Sequence, residues 1–294
     1  KVACLNGQAW RGEVLAPGTL PPKEADDFPL LAAAAAQHGL QLEPRTWQDP
    51  TVATGGYDAV LIRACWDYTT QQDAFLAALD RLEAAGLRLF NPASVVRWNS
   101  CKTYLRDLAT AGADVIDTIW LDAVTPRAVA KVFSDFDAAE IVLKPQVGAG
   151  SRETIRLKRN GWSEHDLLAG PQGPAMAQPF QPAIETDGEW SAFLFGGQRA
   201  HVIHKRPAPG DWYANVAGAH FVAAPPPPDL DALVPKALAG APTGLLYARA
   251  DFVRGTDGRL KLIELEAIEP YLFLTYAPSA ADDLARALAA ALAG

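Results

Sequence analysis

The chain has 294 residues, 49% of them hydrophobic, and its 34 acidic residues against 26 basic ones leave a formal net charge of −8. This length and apolar content allow a large buried core and two or three structural units. The acidic balance excludes nucleic acid or an anionic membrane as the main partner, because both need a basic surface; an anionic ligand would have to meet local cations. Cys4, Cys65 and Cys101 are odd in number and have no CxxC spacing, so buried free thiols in a reducing compartment are expected. No apolar run reaches transmembrane length and Lys1 opens no signal-peptide pattern, which makes the cytoplasm the expected location.

Strand and helix signals alternate in the first part. Val2-Ala-Cys-Leu5 reads as a strand, and Asp26-Asp27 is a candidate cap for a helix entered at Pro29 and stopping at Gly39. Tyr57 to Arg63 is a second strand, and Asp73 to Ala85 a helix with Phe75, Leu76, Leu79 and Leu82 on one face. Leu87 to Phe90 is a third strand, ended by Asn91-Pro92. This alternation predicts a small parallel α/β domain over residues 1–93. From Ser94 a helix carrying Lys102, Tyr104 and Leu105 is expected to reach Gly112. Strand Val115 to Leu121, helix Thr125 to Phe133 and strand Ile141 to Lys144 follow, in a central region over 94–180. Beyond residue 174 strands dominate, and Pro225 to Pro228 reads as a loop. Ala280 to Gly294, with Leu284, Leu288 and Leu292 four apart, closes a 181–294 domain as an amphipathic helix.

The chemistry-bearing residues begin with a hairpin. Tyr247-Ala-Arg-Ala-Asp251-Phe-Val-Arg and Arg259-Leu-Lys-Leu-Ile-Glu264-Leu-Glu266 are strand-like runs joined by Gly255-Thr-Asp-Gly258, whose Asp-Gly pair is a hairpin turn signal. Alternation puts Glu264 and Glu266 on one side. Three carboxylates gathered with Asp251 suit a hard divalent cation such as Mg²⁺, although Glu-x-Glu alone equally suits a solvated strand face. Upstream, Lys144 ends a strand that runs into Gly148-Ala-Gly150-Ser151-Arg152, a small-residue loop able to bring backbone N–H groups to phosphate oxygens. It is not a P-loop, since no Lys-Ser/Thr follows the second glycine, and alone it is also a plain turn. Lys102 is a second cation, by itself an ordinary helix lysine. Gln178-Pro179-Phe180-Gln181 leaves a strand in a proline-flanked segment with backbone groups free for an adenine edge, and Lys205-Arg206 end another strand.

In this order the signals resemble an ATP-grasp enzyme of the glutathione synthetase and RimK-like group. The nearest local likeness lies between Ala177-Gln-Pro-Phe-Gln-Pro-Ala-Ile184 and the glutathione synthetase strand leading to the adenine hinge. The resemblance covers essentially the whole chain and implies the α/β ATP-grasp fold: an N-terminal parallel α/β domain, a small α+β lid and a C-terminal antiparallel α+β domain. It makes Lys102 and Lys144 the phosphate lysines, Gly148, Gly150, Ser151 and Arg152 the loop over the phosphates, and Gln178 to Gln181 the hinge. Glu189 becomes the ribose acid, and Asp251, Glu264 and Glu266 the ligands of one or two Mg²⁺ ions. Two departures are visible. The group's usual Glu-x-Asn is Glu-x-Glu here, and Tyr213 stands where glutathione synthetase has an arginine, which speaks against a glutathione-type substrate.

Arg63-Ala-Cys-Trp66-Asp67-Tyr68, Asn91-Pro92, Arg97-Trp-Asn99 and Glu264-Leu-Glu-Ala-Ile-Glu-Pro270 are further similar to the subgroup that includes the cyclo-ligase of D-cycloserine biosynthesis. That likeness implies activation of a carboxylate as an acyl phosphate, attack by an amine, and closure of O-ureido-D-serine to a ring. Joining an amino acid to a peptide or small acceptor, as RimK-like or dipeptide-forming ligases do, is the alternative. Lys205, Arg206 and Arg152 are expected around the transferring phosphate. Arg63, Trp66 and Asp67 are expected against a small amino-acid-like substrate, with Arg63 equally able to form a structural ion pair with Asp67. Self-association into a homo-oligomer is left open.

Overall fold

The computed structural model describes residues 1–10, 13–14, 22–214 and 218–294. The N-terminal unit contains β1 (Val2–Asn6), a small ladder of β2 (Ala9–Trp10) with β3 (Glu13–Val14), α1 (Pro22–Gln37) and β4 (Leu42–Thr46). It continues with β5 (Ala59–Ile62), α2 (Gln72–Ala84) and β6 (Arg88–Phe90). Its sheet has the order β4-β1-β5-β6 and every pairing is parallel, as the strand–helix alternation requires. Helix α1 starts at Pro22, upstream of the expected entry, and holds Pro29 inside it. The lost backbone bond is tolerated because Leu31, Ala34 and Ala35 bury against the sheet, and packing outweighs propensity. Asp27 is no cap: its carboxylate accepts the N–H groups of Leu274 and Thr275, at 3.0 and 3.1 Å. The Asp26 side chain lies outside the described residues.

Helices α3 (Ala93–Asn99) and α4 (Tyr104–Thr110) replace the single helix expected from Ser94. The Ser100 N–H closes α3 on Val96 O, and the Lys102 N–H is drawn off to Gln146 O at 2.7 Å, so Lys102 sits in the break between them. The chain then touches the edge of the C-terminal sheet at Val115, which bridges Leu262. It enters the lid as β7 (Ile119–Leu121), shorter than expected because residues 115–118 serve as that crossing. The lid adds α5 (Pro126–Phe136), capped by Thr125, then β8 (Glu140–Pro145), β9 (Ile155–Lys158) and β10 (Ala175–Pro179), in an antiparallel sheet of order β7-β10-β8-β9. Val129, Val132, Phe133, Ile141, Leu143 and Leu157 give it a core of its own.

The remainder is α6 (Ala183–Thr186), β11 (Glu189–Phe195), β12 (Gln198–Arg206), β13 (His220–Ala223), α7 (Leu230–Leu238), β14 (Tyr247–Arg254), β15 (Leu260–Glu266) and α8 (Ala280–Ala293). Its antiparallel sheet has the order β13-β12-β11-β14-β15. Tyr104, Leu105 and Leu108 pack with Ala192, Leu194, Ala250 and Leu262 against this sheet. A second core joins Val2, Cys4, Leu61 and Phe90 of the N-terminal sheet to Phe193, Tyr247, Leu272 to Leu274, Leu284 and Leu288. None of the three cysteines is in a disulfide; Cys4 and Cys65 are buried and Cys101 is half-buried. No helix among the described residues is long and apolar enough to cross a membrane.

That second core contains a buried histidine. His201 stacks on Phe193, faces Leu272 O at 2.9 Å, and is pushed down to about 4 by burial. The unfolded chain takes up this proton near pH 6.5 and the folded one does not, so stability should fall as pH drops from about 6.5 toward 4. The span corresponds to at most about 3 kcal/mol. Denaturation midpoints measured across that window should show the loss, and His201→Phe should flatten it.

Candidate active site

The hairpin forms as its alternation and turn predicted. β14 and β15 pair antiparallel, with Arg249 opposite Glu266 and Asp251 opposite Glu264. A bulge beyond Asp251 re-phases the ladder, so the four side chains stand as a two-by-two group on one face. Neighbouring β11 brings Ser191 opposite Asp251, and β12 brings Lys205 opposite Glu189. Asp251, Glu264 and Glu266 offer oxygens that all lie within 4.8 Å of one another.

Cations hold these acids in place. Lys205, fully buried, reaches Glu189 Oε1 at 2.5 Å and Asp251 Oδ1 at 3.4 Å. Arg249 forks onto Asp251 at 2.8 to 3.1 Å and also bonds Glu266. Lys102 Nζ donates to Glu264 Oε1 at 2.6 Å and to the Gly148 carbonyl at 3.1 Å, tying the glycine-rich loop to the metal strand. The charge states follow. Burial disfavours the Asp251 carboxylate, but Arg249 and Lys205 outweigh it and hold the group well below the usual range. Glu264 is likewise lowered, burial being overcome by Lys102 and Lys144. Glu266 is pushed up to about 7 by burial, assisted by Glu264 and Asp251 against the opposing Arg249. Burial lowers Lys144, with Glu264 opposing, and raises Glu189.

The expected residues divide clearly. Lys102, Lys144, Lys205, Glu189, Asp251, Glu264 and Glu266 come together. Glu189, expected at a ribose, spends its carboxylate on Lys205 in this arrangement. Arg206 is exposed, because the alternation that buries Lys205 turns the next side chain outward, so it does not join the cluster. Arg152 is exposed beside Glu153 in a loop where Gly150, Ser151 and Glu153 all take positive φ. A Cβ at Gly148 would meet Pro145 Cγ at 2.8 Å, so that position needs glycine. In the hinge, Phe180 gives its N–H to Glu140 O at 3.0 Å and Gln181 returns its side-chain amide to Pro179 O at 2.9 Å. Fewer backbone groups are free there than expected. Gln178 is buried and donates to Thr118 Oγ1, and Arg156 stacks over the Phe180 ring at 3.5 Å.

Asp67 receives Gln8 N–H, Trp47 Nε1 and Gln48 Nε2 at 2.9 to 3.0 Å, a knot inside the N-terminal unit. Arg63 donates to Pro270 O at 3.0 Å and Trp66 to Glu269 O at 3.1 Å, so both contact the C-terminal part of the chain. Arg249 was missed by motif reasoning. Its signal was present: Arg249 and Asp251 are two apart in a strand and must share a face.

Three carboxylate donors in a tight group fit a hard divalent cation, the donor set that the ATP-grasp resemblance asks for. Residues 14–91 match the family model described as the N-terminal domain of D-cycloserine synthetase DcsG. Over 281 residues the chain is 34% identical to the cycloserine biosynthesis protein DcsG of Streptomyces lavendulae, covering 90% of this chain and 93% of that protein. The crystal structure of D-cycloserine synthetase DcsG superposes with a TM-score of 0.81 at 28% identity, covering 99% of each chain. D-alanine–D-alanine ligase from Bacillus anthracis shares the fold, with a TM-score of 0.67 at 16% identity over 98% of this chain and 94% of that one. ATP and Mg²⁺ are the cofactors this fold implies. The chain therefore belongs to the DcsG family of ATP-grasp enzymes and is an ATP-dependent ligase.

Proposed function

We propose that this ligase activates the carboxylate of a small amino-acid-like molecule and closes it on its own nitrogen, with O-ureido-D-serine as substrate and D-cycloserine formation as the end to which the reaction is put. The supporting observation is the internally balanced site in a chain so similar to DcsG: Asp251, Glu264, Glu266 and Glu189 stand against Lys102, Lys144, Lys205 and Arg249. Asp251, Glu264 and Glu266 would hold Mg²⁺, which supplies charge neutralisation at the phosphate oxygens. Because four carboxylates stand against four cations, a divalent ion and an anionic nucleotide, which add opposite charge, are expected to bind together.

Lys144 and Lys102 meet the nucleotide phosphates, and Lys205 orders the acids from beneath. The γ-phosphoryl passes to the substrate carboxylate, giving an acyl phosphate and ADP. The ureido nitrogen next to the ether oxygen then attacks the acyl carbon and loses its proton, and the ring C–N bond forms as inorganic phosphate leaves. Hydrolysis of the carbamoyl group still on that nitrogen, released as carbamate that breaks down to carbon dioxide and ammonia, gives the D-cycloserine ring. The protein needs no covalent nucleophile, since positioning and charge placement carry the acceleration. The loop over Gly148 to Arg152 excludes water from the acyl phosphate.

An ADP-release assay tests this with O-ureido-D-serine, its L enantiomer, free amino acids and short peptides. Release of ADP with the D compound, together with a cyclic product by mass spectrometry, is expected. Turnover only with an added amine or peptide acceptor would replace ring closure by intermolecular ligation.

A further inference from the structure

Five side chains from separate parts of the chain converge on one short segment after β15. Asn99 Oδ1 accepts the Ala267 N–H and Asn91 Nδ2 donates to Ala267 O, both at 2.7 Å. The Tyr247 hydroxyl lies 2.8 Å from Ile268 O, Trp66 Nε1 donates to Glu269 O, and Arg63 donates to Pro270 O. The backbone of residues 267–270 is thus anchored at every residue. Arg63 and Trp66 follow β5, and Asn91 follows β6, at the carboxyl edge of the parallel sheet. In open parallel sheets that edge forms the ligand crevice.

What this anchored segment presents is Glu269. The residue is 7% exposed, and among the described residues no side chain bonds its carboxyl, which meets its own backbone N–H. It lies within electrostatic reach of Glu266, Lys102 and Glu264, and of Cys65 and Tyr68 in the N-terminal unit. It therefore sits between the metal cluster and the sheet edge. Burial, then Glu266, pushes the carboxyl well above its ordinary range, as befits an acid placed without its cation. A buried carboxylate that no cation bonds is the complement of an ammonium group, which donates up to three hydrogen bonds and favours a site rich in acceptors.

We propose that Glu269 binds the cationic amino group of the substrate, and that the Arg63, Trp66, Asn91, Asn99 and Tyr247 contacts exist to hold it rigidly for that task. This rests on the amino-acid-like substrate proposed above. The activated carboxylate lies toward the lysines and carboxylates, and the amino group toward Glu269, so the segment sets the orientation of the substrate.

The experiment compares O-ureido-D-serine with 3-(ureidooxy)propanoate, the same molecule without its amino group, on wild type and Glu269→Gln, by ADP release and by calorimetric binding of ATP. Wild type should favour the amino compound by roughly 10- to 100-fold in kcat/KM, the worth of a charged hydrogen bond. Glu269→Gln should erase that preference, leaving the propanoate rate, ATP affinity and melting temperature close to wild type. The proposal is overturned if the variant keeps the preference, or if ATP affinity and melting temperature fall with it. The comparison within wild type needs no variant, and absence of any preference there also overturns it. If wild type turns over neither compound but acts on another, the substrate reading fails as well, and the two failures are told apart.

Discussion

Glu264→Gln should lower kcat by on the order of 10³-fold while leaving the protein folded. Glu264 is the joint of the site: it accepts from Lys102 at 2.6 Å, its charge is favoured by both Lys102 and Lys144, and it is one of the three grouped oxygen donors. Glutamine can still accept from Lys102, so the local packing survives. What disappears is the anionic oxygen that a divalent ion requires and the charge that offsets two phosphate lysines. Loss of one carboxylate also relieves repulsion with Asp251 and Glu266, which limits the stability cost. ADP release with saturating nucleotide and a melting curve measure the two quantities. Turnover within tenfold of wild type would remove Glu264 from the metal site, and a large drop in melting temperature would give it a structural role instead.

Arg249→Met should be the most destabilising change in the site, by about 3–5 kcal/mol, the usual cost of leaving a buried ion pair half-made. The guanidinium is buried between Asp251 and Glu266, and without it two carboxylates face each other, Asp251 keeping its contact with Lys205 and Glu266 losing its bonded cation. At about 2–4 °C per kcal/mol the melting temperature should fall by roughly 10 °C. Adding Glu266→Asn should return about 1–2 kcal/mol, because the amide removes the charge that Arg249 neutralises. Glu266→Asn alone should remain an active enzyme, since an amide is what the wider group carries there. Strictly additive melting shifts in the double-mutant cycle would mean that Arg249 and Glu266 are unrelated. Glu266 and Arg249 thus act as one feature: the negative charge of the Glu-x-Glu departure is met by the guanidinium across the ladder.

The hairpin and its acids were legible because period-two alternation and an Asp-Gly turn are local signals, and the helix Gln72–Ala84 because Phe75, Leu76, Leu79 and Leu82 repeat on one face. Lys102 was read into a helix because nothing near it in sequence announces that Gln146 O will take its N–H. Pro29 misplaced the start of α1 for a similar reason, since the burial that tolerates it comes from distant strands. Arg206 was grouped with Lys205 by adjacency, although adjacency in a strand separates faces. Arg63, Trp66, Asn91 and Asn99 stood out as words in the sequence, but the contacts they make with residues 267–270 are to backbone atoms, which leave no residue-type signature.

The core shared by the N-terminal sheet and the far end of the chain bears on how such enzymes can be recombined. Val2, Cys4 and Leu61 are covered by Leu272, Leu284 and Leu288, so the first unit is no interchangeable module. A chimera that exchanges residues 1–93 between relatives must carry α8 and the Leu272–Leu274 segment with them, or re-match that seam by selection. The lid has a core of its own, but Met176 of β10 and Trp120 of β7 belong with the cluster of Tyr104, Ala192 and Ala250, so a lid graft has a smaller seam to match.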